Sequence, residues 1–493
     1  MVFLSKVKEV LWPIQRQELK LFMPMALMMF CILFNFSALR SVKDALVIPA
    51  LGAEVISFLK LWVVLPAALI FTLIYVKLSN VFSAEKVFYI IVASFLVIFW
   101  IFTYIIYPNQ DIYHPSSELI AKLIYQFPNF KWFIKIVSKW GYIIMYIFGE
   151  LWSVVIINLM FWQFANHIID TSKARRFYPL LAMIGNLGLI FAGFSIGSFV
   201  DTHSAGYVWL RDLTPNAIND TEITLKLLVM IITAVGICAM LILRYMHAHV
   251  FVHISSNDLS HNPYATQTSL STKESIKLIL SSKYIGYILV MVVCYGLVIN
   301  VVEGPWKSKV RELYPSTNEY LAFMGNFNIW MGSSCVMMTI LGSNILRRSW
   351  FIAALMTPAM MVVTGTLFFI FVIWGSKIDD IFSFNPLYAA VLAGAAQNIL
   401  SKSTKYSLFD STKEIAYIPL SVELRTKGKA AAEIVGAKLG KSLGAFVQSF
   451  IFILYPSATF ESITPMLMIV FLLVITIWFI DLSKLNNEYK KLS

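Results

Sequence analysis

Twelve stretches of this chain stay apolar over a length that can cross a bilayer, and that feature leaves little choice of fold. They fall at about 20–38, 55–76, 87–107, 141–165, 178–200, 223–243, 284–303, 320–342, 350–374, 382–400, 430–455 and 461–481. Backbone in lipid must satisfy its own hydrogen bonds, so each stretch is expected to be a helix. The balance of residues agrees: 59% of the 493 are hydrophobic and 13% charged, with a mean hydropathy of +0.75, outside the range of a water-soluble domain. The first apolar run is too long for the core of a cleaved signal peptide and has no small-residue cleavage site, so it reads as a retained span. The expectation is an all-α integral membrane protein of about twelve transmembrane helices, with the lipid bilayer as its first partner.

An even number of spans puts both ends on one side. Assigned to that side, the loops and ends hold 24 Lys and Arg, against 12 on the other, a bias that places both termini in the cytoplasm. The net charge of +12 is spread over many short loops rather than gathered in one soluble domain, which argues against a nucleic-acid partner. The longest polar interruption, His247 to Ser282, divides the chain into a six-helix half at 1–246, a cytoplasmic linker at 247–282 and a second half at 283–493. A second long loop, 108–140, carries the amphipathic piece KWFIKIVSKW, expected to lie flat at the outer interface.

The halves resemble each other. At an offset of 252 residues, GNLGLIFAGF (Gly185–Phe194) lies over AKLGKSLGAF (Ala437–Phe446), Lys173 over Arg425, Arg175 over Lys427 and Glu150 over Lys402. At an offset of 260, Lys43 lies over Glu303. A duplicated six-helix unit with opposite charges at matching depths is the plan of a transporter whose site lies between two halves.

The stretch from Gln397 to Phe446 is polar where its neighbours are not. Asn398, Lys402 and Lys405 recur at helical spacing, and Lys438 and Lys441 interrupt a second apolar segment. In that segment Gly436, Gly440 and Gly444 make one narrow ridge suited to close helix contact, while the two lysines fall on another face. Elsewhere, Arg40 and Lys43 share a face if the first helix continues to Pro49; their bland reading is a pair of anchors snorkelling to the interface. Glu150 has nine span residues before it and fifteen after, so it cannot easily reach an interface; a structural ion pair is its alternative. Glu303 sits at a span end just before Gly304 and Pro305, where an end-of-helix charge is the competing reading.

Bond-breaking chemistry finds no support in the residues. GAKLGKS (Gly436–Ser442) has three residues where a phosphate loop needs four, and no strand precedes it. The seven histidines lie outside the spans or at their ends, and His247, His249 and His253 have no carboxylates nearby, so no metal site is indicated. Cys31, Cys238, Cys294 and Cys335 show no paired spacing. No enzyme and no cofactor are expected, and nothing in the residues fixes an oligomeric state.

The motifs SVKDALVIPALGAEVISFLK, FGELW, LMFWQFAN, NVVEGPWKSKVRELYP, LSKSTKYSLFDSTKE and AKLGKSLGAF resemble those of the nucleotide transporters of obligate intracellular bacteria and plastids, the ATP/ADP translocase type, most of all the rickettsial ones. The likeness covers nearly the whole chain. It implies a major-facilitator-like carrier in the bacterial inner membrane that imports host ATP in exchange for ADP, in some relatives with phosphate as well. It also implies that Lys43 in SVKD, Glu150 in GELW, Glu303 in VEGPW and Lys441 in LGKS are tied to transport. With Arg40, Lys402, Lys438 and Asn186, which stands opposite Lys438 in the repeat, they form the expected substrate-binding set. Exchange of GTP, CTP or UTP, and proton-driven symport of an organic anion with Glu150 and Glu303 carrying protons, are the competing readings; nothing in the residues selects the base.

Overall fold

The computed structural model describes residues 14–169, 171–250, 282–382, 385–420 and 429–492; within these, a few side chains, those of Lys438 and Lys441 among them, are outside the description. The expected linker at 247–282 falls almost wholly on residues that are not described. The described chain is built of helices: α1 (Leu19–Leu51), α2 (Val55–Val81), α3 (Ala84–Ile106), two short loop helices α4 (Ser117–Gln126) and α5 (Lys131–Ser138), then α6 (Trp140–Asn166) and α7 (Thr171–Val200). A short α8 (Ala205–Leu213) leads into α9 (Asp220–Val250), and the second series runs α10 (Lys283–Leu313), α11 (Thr317–Arg348), α12 (Trp350–Phe382), α13 (Pro386–Thr404), α14 (Asp410–Ala416), α15 (Lys429–Leu454) and α16 (Phe460–Leu492).

Ten of these helices are long and apolar enough to span a membrane among the described residues. The other two, α13 and α15, stand where the sequence puts its tenth and eleventh spans; Gln397, Asn398 and Lys402 lower the hydropathy of α13, and Ser442–Leu454 is the apolar part of α15 among the described residues. The chain is thus an all-α membrane protein with about twelve transmembrane helices. Its packing repeats: α1 lies against α7 and α9, the fifth and sixth spans, and α10 lies against α15 and α16, the eleventh and twelfth. The apolar window of α2 is only 6% buried, and Leu69, Ile70, Leu73 and Val76 face outward, as a lipid-facing helix requires.

Small residues set the closest approaches. A Cβ on Gly193 of α7 would stand 2.5 Å from the carbonyl oxygen of Gly325 on α11, and one on Gly440 would stand 2.8 Å from the carbonyl oxygen of Val293 on α10. Gly436 and Gly444 meet Val292 and Asn300 on the same neighbour, so the expected glycine ridge of α15 is the face pressed on α10.

Two prolines that look like helix ends are not. Helix α1 runs through Pro49 to Leu51, and α10 runs through Pro305 to Leu313, so Arg40, Lys43 and Glu303 are interior to their helices rather than at span ends. Neighbouring helices and displaced turns make such prolines tolerable in a membrane protein. Gly52, at φ 104°, then turns the chain with the Trp132 ring against it. The amphipathic α5 does form, but Trp132 is 4% exposed and lies among Phe58 and Phe452 instead of on an open interface.

Candidate functional site

Four charged positions of α1 and α10 lie side by side in the middle of the molecule. Lys43 and Asp44 follow one another on α1, and Glu303 and Lys307 are one turn apart on α10. The Asp44 carboxylate is shared: one oxygen is 2.7 Å from Lys43 Nζ and the other 2.8 Å from Lys307 Nζ, the second contact an ion pair rather than an aligned hydrogen bond. Lys43 also pairs with Glu150 of α6 at 2.8 Å, and its ammonium lies 4.0 Å from the centroid of the Tyr146 ring. Glu303 gathers Lys307 at 3.2 Å, Arg40 at 3.3 Å and Lys60 of α2 at 2.6 Å, and Lys60 donates a further hydrogen bond to Asn300 Oδ1 at 2.9 Å. The result is one chain of alternating charge, Glu150, Lys43, Asp44, Lys307, Glu303, ending on Arg40 and Lys60.

Local backbone helps to build it. Lys60 lies in a π-helical stretch of α2, Leu59–Val64, and Glu150 stands just before another in α6, Trp152–Phe161. Such widened turns recur at functional sites because they re-aim side chains out of the helical register. Lys43, Asp44 and Lys307 are 2%, 0% and 2% exposed, whereas Glu150 and Lys60 are about a third and a quarter exposed. The centre of the chain of charges is dry and its ends are wet.

Of the residues expected from the sequence, Arg40, Lys43, Glu150 and Glu303 are brought together directly. Lys402, on α13, comes within electrostatic range of Arg40, Glu303, Lys307 and Lys60, yet its ammonium is buried, 5.9 Å from the centroid of the Phe327 ring, with no hydrogen-bond acceptor. Asn186 does not join the cluster; its backbone oxygen packs on Gly332 in the α7–α11 seam, and its neighbour Gly185 meets Met29 and Leu33, about 10 Å along α1 from Arg40. The side chains of Lys438 and Lys441 lie outside the described residues; the backbone sets Gly440 beside Gly296 and Gly444 beside Asn300, a turn from Glu303.

Asp44, Lys60 and Lys307 were not singled out by the sequence. The signal was present: Lys60 is a lone cation in an apolar window, and Asp44 and Lys307 stand in SVKD and VEGPWKS beside residues already noted. With them counted, the described cluster holds five cations (Arg40, Lys43, Lys60, Lys307, Lys402) and three carboxylates (Asp44, Glu150, Glu303). Its surplus positive charge suits an anion.

Beyond the cluster itself, among the described residues, the polar contacts that tie the N-terminal helices to the C-terminal ones sit at one end of the seam. They include Ser57 to Gln448 at 2.7 Å, Asn328 to Ser41 at 2.8 Å, Arg311 to the Pro49 carbonyl at 3.2 Å and the Phe460 amide to Glu54 at 3.2 Å. At the other end, among the described residues, Arg176 bonds Glu18, Tyr75 bonds Gln163, Tyr284 bonds the Ala416 carbonyl and Trp350 bonds the Thr412 carbonyl, each pair within one set.

A bundle of membrane-spanning helices around a buried charged cluster defines a multi-pass carrier. A solved bacterial homologue of the iron transporter ferroportin, in an inward-facing state, shares this fold with a TM-score of 0.55 at 12% identity, over 94% of this chain and 99% of that one. The model of the TLC ATP/ADP transporter family matches residues 2–489, and the chain belongs to that family. It is 59% identical to the ADP,ATP carrier protein 3 of Rickettsia bellii (99% of this chain, 98% of the relative) and 42% identical to the ADP,ATP carrier protein 1 of the same organism (99% and 97%).

Proposed function

We propose that this protein is a nucleotide antiporter that exchanges ATP for ADP across the bacterial inner membrane by alternating access between residues 20–246 and 283–481. The observation that carries the reading is the cluster on the seam, five cations against three carboxylates, with one ammonium, that of Lys402, left without an acceptor. A polyphosphate supplies the missing negative charge. In a low-dielectric cavity a single such contact at 4 Å is worth about 4 kcal/mol at an effective dielectric of 20, several times its value in water. Lysine and arginine heads suit phosphate as point charges and forks.

Glu150 and Glu303 hold the cations in place while the site is empty: Glu150 holds Lys43, and Glu303 holds Arg40, Lys60 and Lys307. An arriving polyphosphate displaces them, so that a loaded carrier changes state more easily than an empty one. Lys441 and Lys438 are assigned as further phosphate contacts from helical spacing and the family resemblance, their side chains lying outside the described residues. Both termini face the cytoplasm, and the tied end of the seam faces outward; four of the basic residues counted against this orientation, Arg40, Lys43, Lys60 and Lys307, belong to the buried cluster rather than to outer loops, which strengthens the positive-inside bias. Phosphate travelling with ADP would balance the extra charge of ATP.

Labelled-ATP uptake by the purified carrier in liposomes, measured against unlabelled ATP, ADP, GTP, CTP, UTP and phosphate, tests the reading. ATP and ADP should compete at least about tenfold better than the other nucleotides, a difference of about 1.4 kcal/mol. Equal competition by GTP, CTP or UTP would reassign the substrate.

A further inference from the structure

We infer that Asp44 and Lys307 are positioning residues that make the exchange obligatory, by forming an internal counter-charge bridge across the seam whenever substrate is absent. The inference rests on the antiporter reading above. Asp44 belongs to α1 and Lys307 to α10, so their 2.8 Å pair joins the two moving sets directly, at the centre of the buried chain of charges. The other Asp44 oxygen holds Lys43 at 2.7 Å, and Lys307 also holds Glu303 at 3.2 Å. One carboxylate thus ties the substrate lysine of one set to the substrate-side carboxylate of the other.

The arrangement explains why such a costly group is buried at all. A fully buried carboxylate is expensive unless paired, and replacing a buried ion pair by apolar residues often raises stability. Asp44, at 0% exposure, is therefore poor as a stabilising device and well placed as a switch. Empty, it neutralises Lys43 and Lys307 and keeps the seam tied at the end where Ser57 meets Gln448 and Arg311 meets the Pro49 carbonyl. Loaded, the polyphosphate competes for both lysines, the Asp44–Lys307 contact loosens, and the tied end can part. An empty site cannot loosen it. Transport without a counter-substrate is then blocked by a bridge that only an anion releases.

The test compares Lys307→Met, Lys307→Arg and Asp44→Asn with the wild-type carrier in liposomes. Two readouts are taken: the ratio of ATP uptake into nucleotide-free vesicles to uptake into ADP-loaded vesicles, and the half-saturating ATP concentration. Lys307→Met and Asp44→Asn should raise the ratio about tenfold, an ordinary size for coupling between two sites; half-saturation should change less than about threefold in Asp44→Asn, whereas Lys307→Met, which removes a lysine the polyphosphate draws on, is read by its ratio alone. Lys307→Arg keeps the charge and should keep the wild-type ratio. Should Lys307→Met fail to fold, Asp44→Asn carries the same comparison, and ATP binding by the detergent-solubilised protein reports folding for each. An unchanged ratio in a folded neutral variant overturns the bridge; so does loss of ATP binding in step with loss of exchange in Asp44→Asn, which would make Asp44 a support of the substrate site and not a bridge between the two sets. A wild-type carrier that exchanges no nucleotide would instead remove the antiporter reading on which the bridge depends.

Discussion

Lys402 and Glu303 illustrate how the same cluster asks different things of its members. Lys402 has no carboxylate bonded to it, so its removal orphans nothing, whereas Glu303 answers three cations at once. Lys402→Met should cut ATP-for-ADP exchange by about tenfold or more and leave the melting temperature of the solubilised carrier at or above that of wild type. Glu303→Gln should lose exchange and also destabilise, on the order of 3–5 kcal/mol, because Arg40, Lys60 and Lys307 are left without their shared counter-charge. Thermal denaturation alongside transport separates the two; a Lys402→Met variant as unstable as Glu303→Gln would mean that Lys402 has a structural partner. Lys43, Glu150 and Glu303 were legible in the sequence because a charge in an apolar helix needs a reason. Asp44 and Lys307 were not, because Pro49 and Pro305 read as helix ends and their neighbours as loop residues, while the packed helices in fact run through both prolines. Asn186, expected from its place in the repeat, lies apart from this cluster, with its backbone packed on Gly332 in the α7–α11 seam.

At the scale of elements, the seams are made by absent side chains. The α7–α11 crossing is held by Gly193 on Gly325, and the α10–α15 crossing by Gly440 on Val293 and Gly296. Gly193→Leu should destabilise by about 1–3 kcal/mol or more, since its Cβ would stand within 2.5 Å of a carbonyl oxygen, whereas Gly197→Ala, with nothing within 4 Å, should be silent; denaturation of the two variants compares them. The ridge of α15 could be read from spacing alone, while the pairing of α7 with α11 could not, because nothing local in either helix names its partner. The loop between α3 and α6 carries a titration. His114 is buried, and burial, helped by the nearby positive charge of Lys139, pushes its pKa below the ordinary histidine value; its neutral Nε2 accepts the Gly141 amide at 3.4 Å. The folded protein therefore favours the neutral ring, a stabilisation present above the unfolded pKa of about 6.5 and lost as pH falls below it. The melting temperature should fall between pH 7 and pH 5, and His114→Asn should flatten that slope; an unchanged slope would place the titration elsewhere.

Among the described residues the bundle is tied where Ser57 meets Gln448 and Arg311 meets the Pro49 carbonyl, and the direction in which that end faces gives the structure its functional sense. If both termini are cytoplasmic, a cysteine replacing the 89% exposed Tyr125 should react with an impermeant thiol reagent in intact cells, and one replacing Ser260 should not. The reverse pattern would invert the topology. Twelve spans, a repeat and an anionic substrate were all within reach of the sequence, since periodicity and misplaced charge are local signals. The way the charges share their partners was not, since it depends on Lys60, Lys307 and Asp44 meeting across helices far apart in the chain. The account stands on that surplus of positive charge being satisfied by a nucleotide in transit, one in and one out. Labelled-ATP uptake by the wild-type carrier into liposomes loaded with ADP, set against liposomes loaded with buffer alone, measures it most directly. Rapid saturable uptake with ADP inside and near-background uptake without it is the result predicted; equal uptake into both, or uptake that follows an imposed pH gradient with no nucleotide inside, would contradict it.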